Sequence, residues 1–226
     1  MAQRNEIEVA QLFKSRETIL ELLKKQGYDV SNYEKQSMTQ VSAMKKNDQM
    51  DMLVETGDKK KVYVKYHLAK TLKETNILEY IDDLMYQEGD DAELDADLDA
   101  DLDAPEHLKK SDDIIIITKD EPNESLIKAL KNIWKQQNVF ITVHAIKRLQ
   151  FNILKHELVP SHRVMNNDEV NTFKQKFKIT NDSMLPDINR FSPVALAISI
   201  RPGQICEIMR PSNTAIEAPF YRVCSP

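Results

Sequence analysis

Glycine is scarce in this chain, with four among 226 residues. A loop that cradles phosphates with successive backbone N–H groups needs several glycines close together, so most nucleotide-binding schemes of that type are excluded. Cysteine is scarcer still: only Cys206 and Cys224, 18 positions apart in predicted strands. Nothing near them supplies two further ligands at zinc spacing. Both read as core thiols in a reduced intracellular compartment. No run approaches the ~18 apolar residues of a membrane span, and the opening Met1-Ala2-Gln3-Arg4-Asn5-Glu6 lacks the apolar core of a secretory signal. Positive charge is missing from residues 88–103, which hold nine carboxylates and no Lys or Arg; with the chain at −5, the remainder stands at +4. This is no polycation that coats DNA unaided.

What is present is an alternation of helical and extended patterns. Residues 6–26 place Val9, Phe13, Leu20 and Leu23 near one helical face, and Gly27 follows where a left-handed C-cap ends a helix. Residues 28–30 read as short and extended. Ser31 with Glu34 three positions on is a capping-box pattern and predicts a second helix there. Residues 50–55 and 61–68 alternate apolar and polar around Thr56-Gly57-Asp58-Lys59, predicting an antiparallel hairpin. Helical spacing returns over 75–87 through Ile77, Ile81, Leu84 and Met85. Beyond the acidic stretch, residues 113–118 read as a fully buried strand. A helix opened by Glu121-Pro122-Asn123-Glu124 runs to about Gln137, and 139–143 are a further strand. Strand, helix and strand in such short order predict a right-handed crossover between parallel neighbours.

The last third is more specific. His156-Glu157-Leu158-Val159-Pro160 is followed by His162 and by an amphipathic helix over 168–177 with Asn167 as its cap. Then come Leu185-Pro186-Asp187-Ile188, the turn-forming Ser192-Pro193-Val194-Ala195, and Arg201-Pro202-Gly203-Gln204. A strand over 205–210 ends in Arg210, with Pro211-Ser212-Asn213-Thr214 after it and Phe220-Tyr221-Arg222-Val223-Cys224 near the end. This order resembles the C-terminal assembly domain of the fifth-subunit family of multisubunit RNA polymerases, which archaea share. That family runs H-E-L-V-P-x-H, L-P-x-I, D-P-V-A, R-G-x-V-x-x-I-R-x-S-E-T and Y-x-x-Y-R. Three departures stand out: Asn213 in place of Glu, Ile216-Glu217 in place of Gly-Arg, and Pro202 inserted into the basic turn. The earlier part of the chain resembles, by layout more than by residue, the jaw domain that the family's eukaryotic members carry and its archaeal members lack.

The resemblance implies an α/β (α+β) protein in two parts. Residues 1–143 would be an N-terminal jaw domain with a nuclease-like sheet, carrying 88–106 as a solvated, mobile acidic insertion. Residues 144–226 would be a small mixed α/β assembly domain, with a boundary near 144–154. It implies a non-catalytic subunit of a DNA-directed RNA polymerase, docked on the largest subunit and beside neighbouring small ones, in the lower jaw near downstream double-stranded DNA. Partner-binding positions carried over are His156, Glu157, Leu158, Val159, Pro160, His162, Leu185, Pro186, Pro193, Val194, Arg201, Gly203, Arg210, Ser212, Thr214, Tyr221 and Arg222. Lys119, Pro122 and Asn123 would lie nearest the DNA phosphates, without reading sequence. Neither a cofactor or metal nor a membrane or small-molecule substrate is implied. The location is the nucleus for a cellular source, and the cytoplasmic virus factory or virion for a viral one.

Rival chemistries fare less well. His156-Glu157 begins H-E-x-x-H, but Pro160 stands where the second zinc ligand belongs and breaks the helix that must hold it. A Mg²⁺-dependent nuclease needs clustered carboxylates and a lysine; Asp58-Lys59-Lys60 supplies a bare D-x-K at a hairpin tip, and Lys65 follows Tyr63 where an acid belongs. Asp95, Asp97, Asp99, Asp101, Asp103 and Glu106 match EF-hand spacing, yet Ala100 occupies the position that needs Gly. The histidines His67, His107, His144, His156 and His162 have no nucleophile and carboxylate set around them, and read as packing or interface residues. A free-standing adaptor that recruits a transcription factor through the same surface remains the binding alternative.

Overall fold

The computed structural model describes residues 2–69, 71–85 and 108–226, with side-chain surroundings from residue 6 onward. The acidic insertion, the EF-hand-like spacing and His107 lie outside the described residues.

Helix α1 (Ala2–Lys25) leads through Gly27, at φ +92°, into strand β1 (Tyr28–Asp29). That is the left-handed turn only glycine enters without strain. The predicted helix at Ser31 does not form. The Ser31 hydroxyl and N–H both donate to Asp29 Oδ1, at 2.6 and 3.0 Å, so a local turn consumes the groups a cap would use. The capping box lies further on, at Ser37 and Gln40, and opens α2 (Met38–Lys46). Strands β2 (Met52–Thr56) and β3 (Lys61–His67) form the expected antiparallel hairpin. Next come α3 (Glu74–Met85), β4 (Asp113–Thr118), α4 (Glu124–Gln137) and β5 (Phe140–Ala145). Pro122 sits just outside α4, whose cap is Asn123.

These strands make one mixed sheet in the order β1-β2-β3-β4-β5, with β3, β4 and β5 parallel. Helices cover both faces. Val62, Val64, Ile115 and Ile117 point to α1 and α2, while Ile114, Ile116, Ile141 and Val143 point to α3 and α4. Burial on both faces is why β4 reads as an unbroken isoleucine run instead of alternating.

After β5 the chain turns through 3₁₀ segments at Ile146–Gln150 and Ile153–Lys155, and Ile146 and Leu149 pack into the α1 side of the core. A second sheet has the order β6-β8-β9-β7, from β6 (Ser161–Val164), β7 (Asp187–Asn189), β8 (Ile205–Ser212) and β9 (Ile216–Ser225). Helix α5 (Asn167–Phe177) lies on one face, where Phe173 meets Ile205 and Tyr221. Its cap is Asn166, one residue before the predicted Asn167, in a capping box with Glu169. On the other face Ile188, Cys206, Ile208 and Cys224 pack with Ala195 and Ile200. Residues 192–195, expected as a turn, instead cap and open a one-turn helix α6 (Pro193–Ala197), with Ser192 as cap and proline in its first turn.

The two sheets are joined through β5, an edge strand. Arg190, buried with no carboxylate at ion-pair distance among the described residues, donates to the Ile141 carbonyl at 3.1 Å and stacks on Phe140 and Phe191. Ala197 enters the first core, and its carbonyl accepts from Gln26 at 3.0 Å. An exposed sheet edge is thereby covered.

Candidate functional site

The segment at 156–160 is an ordered turn. The Val159 N–H donates to the His156 carbonyl at 2.9 Å, and the Leu158 N–H donates to His156 Nδ1 at 3.2 Å. Val159 and Pro160 are half-buried, whereas His156, Glu157 and Leu158 face outward. Leu158 is 84% exposed. This turn feeds β6, where His162 Nδ1 lies 2.6 Å from the Pro160 carbonyl.

Strand pairing brings the rest of one end together. His162 pairs with Ile208, which pairs with Phe220 on the far side. Arg210 stacks over the Phe220 ring at 3.9 Å and Arg222 over the same ring at 5.5 Å, with Arg222 also donating to the Asp187 carbonyl. Neither arginine makes an ion pair among the described residues, and Arg222 Nε is buried without a partner. His162 is held below its ordinary pKa, first by burial, then by the charges of Arg210, Arg222 and Lys25, against the opposing bond to Pro160. The β8–β9 tip is shaped by Ser212, whose hydroxyl accepts from the N–H groups of Thr214 and Ala215. This end of the second sheet is therefore cationic and aromatic, with a projecting leucine beside it.

Other carried-over positions lie elsewhere. Leu185 packs against α5, and the Pro186 carbonyl accepts from Val223 at 3.0 Å. Pro193 starts α6 and Val194 is half-buried there. Tyr221 stacks on Phe173 at 4.2 Å and donates to Glu207 at 3.2 Å. Pro202 and Gly203 occupy the centre of a turn closed by Gln204 N–H to the Arg201 carbonyl; Gly203 sits at φ +84°, and proline followed by glycine suits that turn. The Arg201 guanidinium reaches into the first sheet, donating to the Ser111 carbonyl at 2.6 Å and pairing with Asp113. Its charge is engaged within the chain.

The loop after β4 is closely tied. Thr118 donates to the Asp120 carbonyl at 2.7 Å, Arg148 grips Glu121 at 2.9 and 2.8 Å, and Asn123 Oδ1 caps α4 through Leu126 N–H at 2.8 Å. Lys119 is exposed beside a cavity of about 460 Å³ that Lys73, Pro122 and Asn123 also line. Asn123 is thus a helix cap with its oxygen committed.

The nuclease residues do not converge. Asp58 is exposed at the hairpin tip, and Lys60 points to Asp113 at 2.5 Å. A closer counterpart, missed in the sequence, lies at Asp51, Tyr63 and Lys65. Asp51 accepts from Lys65 at 2.6 Å, from the Tyr63 hydroxyl at 3.1 Å and from the Tyr66 N–H at 2.9 Å. With those donors in place the carboxylate has little left for a metal. Among the described residues no three His, Cys, Asp or Glu side chains gather as ligands, and no helix is long and apolar enough to cross a membrane. Cys206 and Cys224 are buried thiols pushed up to about 11 by desolvation, so they are inert as nucleophiles.

Residues 151–224, which contain this cationic end, match the family model described as RNA polymerase Rpb5, C-terminal domain. Over 74 residues, 33% of this chain, the protein is 43% identical to DNA-directed RNA polymerase subunit Rpo5 of Pyrococcus horikoshii, of which the match covers 89%. It is 36% identical over 73 residues, 32% of this chain, to the Rpo5 subunit of Methanococcoides burtonii, with 92% of that protein covered. It is 43% identical over 75 residues, 33% of this chain, to DNA-directed RNA polymerases I, II, and III subunit RPABC1 of Caenorhabditis elegans, with 35% of that protein covered.

Proposed function

The chain belongs to the fifth-subunit family of DNA-directed RNA polymerases, and we propose that it is a non-catalytic subunit whose residues 144–226 dock on the largest subunit of its polymerase. The carrying observation is the end of the second sheet, where Leu158, His162, Arg210, Phe220 and Arg222 present one apolar and cationic surface within the matched region. Cations stacked on an aromatic ring and without an acidic partner among the described residues suit carboxylates on a partner, and an exposed leucine suits an apolar recess. The prolines at 160, 186, 193 and 202 stiffen the surrounding loops, which lowers the ordering cost of assembly.

The first 143 residues form part of the jaw beside downstream DNA, with Lys119 approaching the phosphate backbone. The surrounding Asp120 and Glu121 keep that contact weak and positional. The protein works wherever its polymerase transcribes, which for a cellular source is the nucleus.

The experiment is native purification of a tagged copy with quantification of whatever co-elutes. Two very large polymerase subunits at near-equal amounts are expected; a protein running alone, or with a regulatory factor only, would favour the adaptor instead. Leu158→Asp places a charge at the projecting apolar position and is expected to lower retention on the polymerase about 30-fold, the effect of losing one interface anchor. Unchanged retention would remove Leu158 from the docking surface. Lys119→Glu is expected to leave assembly intact, to weaken DNA contact and to make the salt dependence of initiation shallower; identical salt profiles would mean the loop does not approach DNA.

A further inference from the structure

Ile216 stands where the geometry asks for glycine. Ser212 pairs with Ile216 across a tip of only three residues, Asn213, Thr214 and Ala215, and Ile216 takes φ +60°. The Glu217 N–H donates to the Ala215 carbonyl at 2.6 Å, so Ile216 is the central residue of a γ-turn in its positive-φ form, which is rare and strained for any residue with a Cβ. A β-branched side chain is among the worst fits. Nor does packing offset the strain, since Ile216 is 88% exposed, the most exposed large apolar residue of the described chain. The free protein therefore carries a conformational cost and an exposed apolar side chain with no internal return.

The surroundings supply the reason. Strand β6 begins at Ser161 opposite Met209, so the turn holding Leu158 lies at the same end of the sheet as the β8–β9 tip. Leu158 and Ile216 are two apolar projections on that end. Arg210 and Arg222, stacked on Phe220 without an acidic partner among the described residues, form the cationic ground nearby, and Lys25 and His162 face them. Such a surface is complementary to an apolar recess bordered by carboxylates.

Resting on the docking reading above, we infer that Ile216 is a specificity anchor, inserted into an acid-bordered apolar recess of the largest polymerase subunit. The strain is retained because it holds the side chain outward in its bound position, leaving little to reorganise on assembly. A partner built for a glycine tip has no such recess and clashes with the isoleucine, so the residue matches this subunit to its own polymerase.

The test compares wild type, Ile216→Gly and Ile216→Leu, both as free chains and competing under different tags for the same polymerase. Relief of the positive-φ strain is expected to raise the melting temperature of free Ile216→Gly by about 2–4 °C. The same variant is expected to be displaced by wild type at least about 10-fold, whereas Ile216→Leu keeps most of its occupancy. Better folding with poorer assembly is a combination that general damage to the fold cannot produce. Equal occupancy of wild type and Ile216→Gly, with wild type bound, would overturn the anchor and leave the docking reading intact. Absence of wild type itself from the polymerase would overturn the docking reading and the anchor with it.

Discussion

Replacing Asp113 with alanine is expected to destabilise the folded chain by about 3 kcal/mol, lowering the melting temperature by roughly 6–12 °C. Asp113 is the most buried carboxylate in any ion pair among the described residues, its side chain 5% exposed, and it holds two cations together. Lys60 approaches from the β2–β3 hairpin at 2.5 Å, and Arg201 comes from the turn before β8. Arg201 also stacks on Phe140, and Lys60 lies over Tyr28, whose hydroxyl is raised well above its ordinary pKa by burial and by the Asp113 charge. Removing the acid leaves both cations facing one another without compensation. They are 38% and 24% exposed, so water recovers part of the loss, which sets the estimate at the low end for a broken buried pair. Arg201→Ala is expected to cost about 1–2 kcal/mol, because Lys60 still neutralises the acid. The double variant should then cost less than the sum of the two. Denaturant melts of the three variants check this; a loss below ~0.5 kcal/mol for Asp113→Ala would mean that the clasp contributes nothing to joining the sheets.

The second large effect is on pH. His144 in β5 is 5% exposed, its Nε2 is buried without a partner, and desolvation together with the charge of Arg148 lowers its pKa to about 4. The folded state therefore refuses a proton that the unfolded chain accepts near pH ~6.5. Stability is complete above pH ~6.5 and falls as the pH drops from there toward about 4, by ~1.4 kcal/mol per unit. Between pH ~6.5 and ~5 this amounts to about 2 kcal/mol, before carboxylate protonation adds its own loss. His162 is shifted in the same direction, but it is half-exposed and contributes less. His144→Phe is expected to flatten most of that slope while leaving stability at pH ~7.5 within about 1 kcal/mol of wild type. A slope that survives the substitution would assign the acid sensitivity to other groups.

Much of the fold was legible because its signals are local. The hairpin of β2 and β3, the isoleucine run of β4 and the Gly27 stop after α1 each follow from spacing within a few residues. Local signals also misled where two short-range bonds compete for one side chain. Ser31 matches a capping box with Glu34, but Asp29 is nearer, and the serine is used in a turn instead. At the candidate site, the order of motifs from 156 to 222 pointed to the family and nominated docking residues without saying which of them meet. Arg201 looked like one more docking arginine, yet it spans 88 positions to Asp113. The Asp51, Tyr63 and Lys65 cluster was obscured because its acid lies 12 and 14 positions from its partners.

The sequence by itself determined most elements of the first sheet and its helices, the α/β class, the two core cysteines and the family of the last third. Each of these is written in periodicity, turn chemistry or motif succession. Only the tertiary structure decided that β6, β8 and β9 bring Leu158 to the same end as Ile216, and that Arg190 and Arg201 face inward while Arg210 and Arg222 remain unpaired by acid among the described residues. Strand register fixes which distant side chains share a face, and it is set by the packing of whole sheets, not by residues within a turn of one another.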